Sequence, residues 1–274
     1  MDEEILILYI QFLSRNFKSV SSVKNYVFGL QTLSLFNLLH FPDLGQPVFK
    51  YQFKGITRSL SHKPTRASPL SPIILLQIFQ HLDLTNPIHV NMWAVMVVGF
   101  FLFARIGNLL PKSKFSYNPN TQLSRSDVRV AEDCVVVTLK YTKTIQNGER
   151  YLQVPLSHSP GSPLCPKSSL LRMVQLSPGS PTDHLFSYNT RLGKSVITQS
   201  EFTQFLRSIL SKCGYESNLF SGHSLRRGGA TWAFSKGVKT EMVKHHGDWK
   251  SDAYLVYIEF SMSQKLETTQ LMLS

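Results

Sequence analysis

Two short segments near the C-terminus constrain this chain most. Residues 223–231 read His-Ser-Leu-Arg-Arg-Gly-Gly-Ala-Thr, and residues 247–257 read Gly-Asp-Trp-Lys-Ser-Asp-Ala-Tyr-Leu-Val-Tyr. His223 and Arg226 are three residues apart, so a helix presents both side chains on one face. An arginine can hold phosphate oxygens, a histidine can move a proton, and a tyrosine hydroxyl can attack phosphorus. A fold that brings the two segments together would have the groups needed for phosphodiester chemistry.

The composition is typical of a folded protein with a polyanionic partner. The chain has 274 residues, 42% of them hydrophobic, and a formal net charge of +12. Because Lys and Arg side chains that neutralise phosphates release counterions, nucleic acid is the expected partner. Three cysteines, far apart and without metal-ligand spacing, indicate a reducing, intracellular compartment rather than a disulfide or zinc framework.

No membrane role is expected from the sequence. The N-terminus, Met-Asp-Glu-Glu, lacks the positive start of a signal peptide. The longest apolar run, residues 92–104, is too short to span a bilayer and is typical of a buried helix.

The hydrophobic pattern predicts a small helical domain, a basic linker and a larger domain. Apolar residues at helical spacing predict three helices in the first part, over residues 3–12, 23–38 and 51–60. Residues 61–72 are rich in proline, serine and positive charge, which indicates an exposed linker. The predicted domains are therefore residues 1–62 and 73–274, joined by a linker over 63–72.

The larger part is predicted to be mainly α with one small antiparallel sheet. Its short Val-rich and Tyr-rich runs predict strands over residues 128–130, 134–140 and 151–154. Asn147-Gly148 is a hairpin signal between the last two strands. A mostly irregular stretch is expected over residues 111–127. Helices are expected over residues 72–81, 88–103, 168–175, 198–213, 223–236, 239–245 and 253–261, and the tail from residue 262 is compatible with one more.

The two C-terminal segments resemble the signature of the tyrosine recombinases, the integrase family that cuts and rejoins DNA through a phosphotyrosine. The doubled arginine, the Gly-Gly-Ala-Thr run and Gly-Asp-Trp-Lys-Ser-Asp-Ala-Tyr-x-x-Tyr look most like recombinases of eukaryotic mobile elements, the DIRS, Ngaro and Crypton kinds. The resemblance covers nearly the whole chain. It implies a helical core-binding domain over residues 1–62 and a catalytic domain over 73–274 that clamp DNA from opposite sides. Family members usually have four or more helices in the first domain, so the chain is expected to begin inside it or to lack its first helix.

The resemblance implies roles for the residues of the predicted site. Tyr257 is the implied nucleophile, which forms a 3′-phosphotyrosyl link and releases a 5′ hydroxyl. Arg105, which follows an apolar helix, and Arg226 would stabilise the charge that grows on phosphorus. His223 would assist proton transfer, and Lys143 would protonate the departing 5′ oxygen. A lone arginine at a helix end is more often a solvated residue, so the assignment of Arg105 depends on the resemblance.

Alternatives remain open at several positions. Lys140 also lies on the predicted hairpin, but Lys143 is nearer the turn and is preferred. The residue that follows the family's glycine is normally His or Trp, whereas here Trp249 is shifted by one residue. Trp249 is preferred in this position, with His246 as the alternative. Tyr254 precedes Tyr257 by three residues, so either hydroxyl is placed to attack, although a packing role is expected for Tyr254.

One further departure concerns Asn108. The family motif after Arg105 normally reads Arg-x-x-Glu, and Asn108 stands at the acidic position. A negative charge expected near the site is therefore missing there, so support for the arginines has to come from elsewhere. The glycine pair after Arg227 is expected to leave space for close approach of a backbone or of DNA.

The expected partner is double-stranded DNA, bound by a homo-tetramer on paired sites, with no metal or other cofactor. The resemblance to eukaryotic elements implies a nuclear protein, and the segment after Tyr257 is a candidate for exchange between subunits. Arg227 would bind a neighbouring phosphate or face solvent. The expected DNA-binding residues are Lys54, Arg58, Lys63, Arg66 and Arg227.

Two other functions are compatible with the same residues. A topoisomerase-like nicking and closing enzyme would share the fold and the catalytic groups but would act as a monomer. A domesticated DNA-binding protein without catalysis would be consistent with Asn108 and the shifted Trp249.

Overall fold

The structure, a computed structural model, describes residues 2–60, 66–146, 148–258, 262, 266, 270 and 272. The chain divides into two compact units, residues 1–65 and 66–274. The predicted fold class is confirmed, because the described residues are mainly helical with a small antiparallel sheet. Within these residues, no helix has the length and apolar character needed to cross a membrane.

In the first unit, residues 2–60 form the three predicted helices, α1 (Glu3–Asn16), α2 (Val20–Phe36) and α3 (Pro47–Ser59). α3 begins at Pro47, because proline lacks an N–H group and the first helical position needs none. α1 buries one stripe of side chains at helical spacing, which packs against residues from the other two helices. The buried core of this unit consists of Leu6, Ile10, Leu13, Val23, Val27, Phe49 and Ile56.

The second unit is built around one helix that is buried nearly all round. This helix, α5 (Pro87–Phe101), contacts helices before and after the sheet and carries Trp93 and Phe100 into the core. Its apolar surface on every side explains why the sequence shows no amphipathic stripe there. The α-helices with described bounds in this unit are α4 (Pro72–Gln80), α5, α6 (Ile106–Leu109), α7 (Pro166–Leu176), α8 (Gln199–Lys212), α9 (His223–Ser235) and α10 (Thr240–His246).

The predicted sheet is present and antiparallel, in the order β1 (Val128–Val130), β2 (Cys134–Leu139) and β3 (Leu152–Ser157). Val137 on β2 pairs with Val128 on one side and Val154 on the other. Pro155 is tolerated in β3 because that strand lies at the edge of the sheet. A second hairpin, β4 (Ser187–Thr190) with β5 (Gly193–Val196), was not predicted, because its short polar strands lack an apolar alternation.

The connection between β2 and β3 contains a tight turn that the sequence did not predict. The hairpin signal lies at Asn147-Gly148, and Asn147 is outside the described residues. The tight turn lies earlier: Thr142 and Ile145 exchange backbone hydrogen bonds of 3.0 and 3.2 Å around Lys143 and Thr144. Side-chain contacts described below hold this turn.

Two further segments differ in structure from the sequence-based prediction. A 3₁₀ helix, Asp252–Tyr257, replaces the first part of the helix expected over 253–261, whose last three residues lie outside the described ones. Most of the tail from residue 262 is also outside them. Residues 66–71 have no regular secondary structure and belong to the second unit, where Leu70 is buried and its N–H donates to Ser224 O at 3.1 Å. The predicted linker residues 63–65 lie outside the described residues.

Candidate active site

The N-terminal half of α9 is locked against the rest of the second unit by two glycines. A Cβ atom on Gly228 would lie 1.9 Å from Leu70 O, and one on Gly229 would lie 2.0 Å from Phe100 O. Only glycine permits such close approach, so the backbone of α9 sits directly on the backbone of its neighbours. The expected close approach is therefore to protein backbone. It places His223 and Arg226 at the end of α5, where Arg105 follows.

Arg226 lies at the centre of the site and is only 2% exposed. Its guanidinium donates to Phe103 O and, at 2.7 Å, to Gly247 O. The Trp249 ring stacks on it, with 3.7 Å from Cζ to the ring centroid, and the Tyr257 ring lies at 5.7 Å. Two carbonyls and two aromatic faces thus hold one cation in place.

A second positive charge, that of Arg105, lies close to Arg226. Burial and the nearby Arg105 lower the pKa of Arg226 to about 9, while Tyr257 and Asp248 act against that shift. Arg226 is therefore still charged near pH 7. Arg105 itself is half-buried at the first turn of α6, so the structure brings together the two arginines that sequence analysis paired.

His223 begins α9 and lies beside the same two arginines. The pKa of His223 is lowered, first because neighbouring protein removes its ring partly from water, and then because Arg226 and Arg105 repel its protonated form. A neutral imidazole is the form that accepts a proton.

The two candidate tyrosines differ in their surroundings. Tyr254 is buried, with its ring 6.1 Å from that of Trp249. Tyr257 is half-buried, lies over Arg226 and accepts a hydrogen bond at its carbonyl from Thr231 Oγ1 at 2.6 Å. The packing role expected for Tyr254 agrees with its burial, and Tyr257 is the tyrosine next to the arginine.

The structure also distinguishes Trp249 from His246, the two candidates for the same catalytic position. His246 Nε2 donates to Phe101 O at 2.7 Å, its ring packs on Phe103, and burial lowers its pKa. This imidazole is used to tie α10 to the end of α5. Trp249, in contrast, contacts the guanidinium of Arg226 directly.

The one-residue shift of Trp249 has a backbone explanation. Asp248 adopts a left-handed conformation with φ 54°, its N–H donates to His245 O at 3.1 Å, and the Trp249 N–H donates to Lys244 O at 3.0 Å. These two bonds form the Schellman motif that ends many helices. The turn folds the indole back over Gly247, where a Cβ would lie 1.7 Å from the ring. Asp248, the extra residue, forms part of the turn that ends α10, so the indole of Trp249 still contacts Arg226.

Sequence reasoning missed the role of Asp248. Its carboxylate accepts hydrogen bonds from the hydroxyls of Thr142 and Thr144 and from the guanidinium of Arg150. Burial raises the pKa of Asp248, but these three donors outweigh burial and the net shift is downward. Lys143, the candidate general acid, is the exposed residue between the two threonines. The available signal was weak: an acid directly after the glycine, and a Thr-Lys-Thr run 100 residues earlier in the chain.

Asn108 also contacts the connection between β2 and β3. Its side-chain amide donates to Tyr141 O at 2.8 Å. Arg105, Asn108, Thr142, Arg226 and Asp248 all line one narrow cavity. The carboxylate of Asp248 therefore lines the same cavity as Asn108 and the two arginines.

The predicted DNA-binding residues lie in different surroundings. In the first unit, Lys54 and Arg58 are exposed one turn apart on α3. Lys63 lies outside the described residues. In the second unit, Arg66 is exposed, whereas Arg227 is half-buried and donates to Ala67 O at 2.9 Å, so it does not simply face solvent. Among the described residues, no three His, Cys, Asp or Glu side chains are grouped to hold a metal ion.

Comparison with known proteins identifies the fold. No family model and no curated protein matches this sequence. The XerH site-specific recombinase, in a post-cleavage complex with palindromic difH substrate, aligns with 100% of this chain and 71% of its own, with a TM-score of 0.60 and 14% identity. The Tn1549 transposon integrase, in complex with circular intermediate DNA, aligns over 96% and 83%, with a TM-score of 0.59 and 11% identity.

A third structure, the XerA recombinase, aligns over 96% of both chains, with a TM-score of 0.52 and 17% identity. At these identities the likeness shows the fold alone. The chain has the fold of the tyrosine recombinases, as the two C-terminal segments predicted.

Proposed function

We propose that this chain is a site-specific DNA recombinase or integrase that acts through Tyr257. The observation that carries the proposal is the cluster around Arg226. One buried arginine contacts Trp249 and Tyr257 and lies within electrostatic reach of Arg105 and His223. The three recombinases and integrases of the same fold, two of them bound to DNA, support the same class of reaction.

The proposed reaction consists of two successive transfers of the scissile phosphoryl group. The Tyr257 oxygen forms a bond to the scissile phosphorus while the bond to the 5′ oxygen breaks. His223, neutral near pH 7, takes the tyrosine proton, and Lys143 gives a proton to the departing 5′ oxygen. A 5′ hydroxyl of a partner strand then attacks the phosphotyrosine and reverses the step, so the bond energy is kept.

Arg105 and Arg226 would stabilise the charge that grows on the phosphorane oxygens. Arg226 Nε is buried, and no acceptor for it is found among the described residues. Because Arg226 is almost fully covered, we infer that the Tyr257 side chain, which lies over it, would move before a phosphate oxygen reaches the guanidinium. This coupling would link DNA entry to release of the nucleophile.

The net charge of +12 supports binding to double-stranded DNA. We further propose that the chain belongs with the recombinases of eukaryotic mobile elements, on the motif of residues 247–257, and hence acts in the nucleus as a tetramer on paired sites. In this proposal the first unit, residues 1–65, contains the core-binding domain and the second, residues 66–274, is the catalytic domain. Lys54, Arg58, Lys63, Arg66 and Arg227 would contact DNA phosphates.

The test is covalent trapping on nicked duplexes made from the genomic DNA on either side of the gene. The full chain is compared with Tyr257→Phe and Tyr254→Phe, because Tyr254 is a nearby buried tyrosine. We expect a protein–DNA adduct with wild type and Tyr254→Phe and none with Tyr257→Phe. Loss with Tyr254→Phe alone would move the nucleophile by one turn. Tight binding without any adduct would instead favour a DNA-binding protein without catalysis.

A further inference from the structure

We propose that Asp248 is a positioning residue that holds the turn carrying Lys143 beside the Arg226 site. The inference rests on the proposed function only for the role of Lys143 as general acid. The contact itself is a property of the fold, because Asp248 and the turn are about 100 residues apart in the chain.

Within the described residues, Asp248 is the only acid whose carboxylate accepts hydrogen bonds from the side chains of this turn. It is 8% exposed. One of its oxygens accepts from both Thr142 Oγ1, at 2.5 Å, and Thr144 Oγ1, and the other accepts from Arg150. A buried carboxylate with three donors is held firmly, since each bond involves an ionised acceptor.

The bonds reach the two residues that flank Lys143. The Thr142 hydroxyl oxygen also accepts from the N–H groups of Thr144 and Ile145, both at 3.1 Å. The same hydroxyl thus closes the turn on one side and donates to Asp248 on the other. Without the carboxylate, the twelve-residue connection between β2 and β3 would keep the hydrogen bond from Asn108 to Tyr141 O and the buried Ile145, but the two threonines beside Lys143 would lose their acceptor.

The backbone around Asp248 holds the other half of the site. Gly247 O accepts from Arg226, and Trp249 stacks on the same guanidinium. Three consecutive residues therefore fix both the arginine and the turn of the candidate general acid. General acid catalysis requires hydrogen-bond distance to the leaving oxygen, so a shift of this turn would slow protonation of that oxygen.

The left-handed backbone at Asp248 allows a clean test. Glycine is the residue most favoured at this position of a Schellman motif, and asparagine is tolerated there. Asp248→Gly therefore keeps the helix end while it removes the carboxylate, and Asp248→Asn keeps the shape of the side chain. Asp252→Asn is the matched control, because Asp252 lies nearby, is exposed and pairs with Lys244.

The first measurement is hydrogen exchange of the full chain without DNA. We expect the amides of Thr144 and Ile145 to exchange at least about tenfold faster in both Asp248 variants. The amides of α5 and α9 should exchange as in wild type, and Asp252→Asn should leave the turn unchanged. Equal exchange of the turn in wild type and Asp248→Gly would overturn the proposal, whatever the protein does to DNA.

The second measurement compares two leaving groups on the substrate that traps wild type. In one duplex the scissile 5′ oxygen is replaced by sulfur, which departs as a thiolate and needs no proton. We expect Asp248→Gly to form adduct on the order of a hundredfold more slowly on ordinary DNA. On the sulfur duplex it should come within a few-fold of wild type, as Lys143→Ala should, whereas Arg226→Ala should stay slow.

The outcomes separate the two proposals. A defect of Asp248→Gly that sulfur does not relieve would show that Asp248 does not act through Lys143. If wild type forms no adduct with either duplex, the proposed function fails, and hydrogen exchange still decides whether Asp248 holds the turn.

Discussion

His184 should make the second unit sensitive to mild acid. Its side chain is 1% exposed, and its Nδ1 accepts a hydrogen bond from the Phe186 N–H at 3.1 Å. Burial lowers the pKa of His184 to about 4. Protonation would also place a hydrogen on Nδ1, where it would face the N–H of Phe186. The folded protein therefore resists a proton that the unfolded chain accepts readily.

The sign and size of the effect follow from the two pKa values. The unfolded imidazole takes up its proton near pH 6.5 and the folded one only near pH 4. Stability from this group is present above pH 6.5 and is lost as the pH falls through that window. One pKa unit corresponds to about 1.4 kcal/mol, so the loss between pH 7 and pH 5 is about 2 kcal/mol.

Urea unfolding followed by tryptophan fluorescence measures this loss, because all three tryptophans lie in the second unit. His184→Asn removes the titration and keeps an acceptor for the N–H two residues on. We expect its unfolding free energy to fall by about 2 kcal/mol less than that of wild type between pH 7 and pH 5. His81→Asn, at an exposed histidine, is the control. An equal pH dependence in wild type and His184→Asn would refute the reasoning.

Three other predictions concern α9. Gly229→Ala should destabilise the second unit by about 3 kcal/mol or more in urea unfolding, because its Cβ would meet Phe100 O at 2.0 Å; a change below about 1 kcal/mol would contradict that packing. Arg226→Lys should reduce trapping on the order of a hundredfold or more, since one ammonium cannot reproduce the carbonyl bonds and the stacking on Trp249; near-normal trapping would contradict a catalytic role. The rate of adduct formation should fall only below about pH 6.5, because the pKa of His223 is lowered, and His223→Gln should lose this limb; a fall that begins above about pH 7 would exclude His223 as the base.

Much of the fold could be predicted from local patterns. The apolar run around Trp93 predicted the buried helix α5, and β1 was predicted residue for residue, because valine-rich runs favour strands. The β4–β5 hairpin was missed because its short strands are mostly polar and lack an apolar alternation. Residues 253–257 were expected to be α-helical and are 3₁₀, since tertiary contacts of Tyr254 and Tyr257 set their conformation.

What the sequence by itself determined is the set of chemical groups and their spacing within one element. His223 and Arg226 share a helix face because they are three residues apart, and the glycine pair predicts close approach of a backbone or of DNA. Only the tertiary structure decided that Asp248 supplies the buried carboxylate and holds the Lys143 turn. The role of Asp248 depends on the burial of its side chain and on its left-handed backbone conformation at the end of α10. Burial and long-range hydrogen bonds join residues about 100 positions apart, and no local pattern records them.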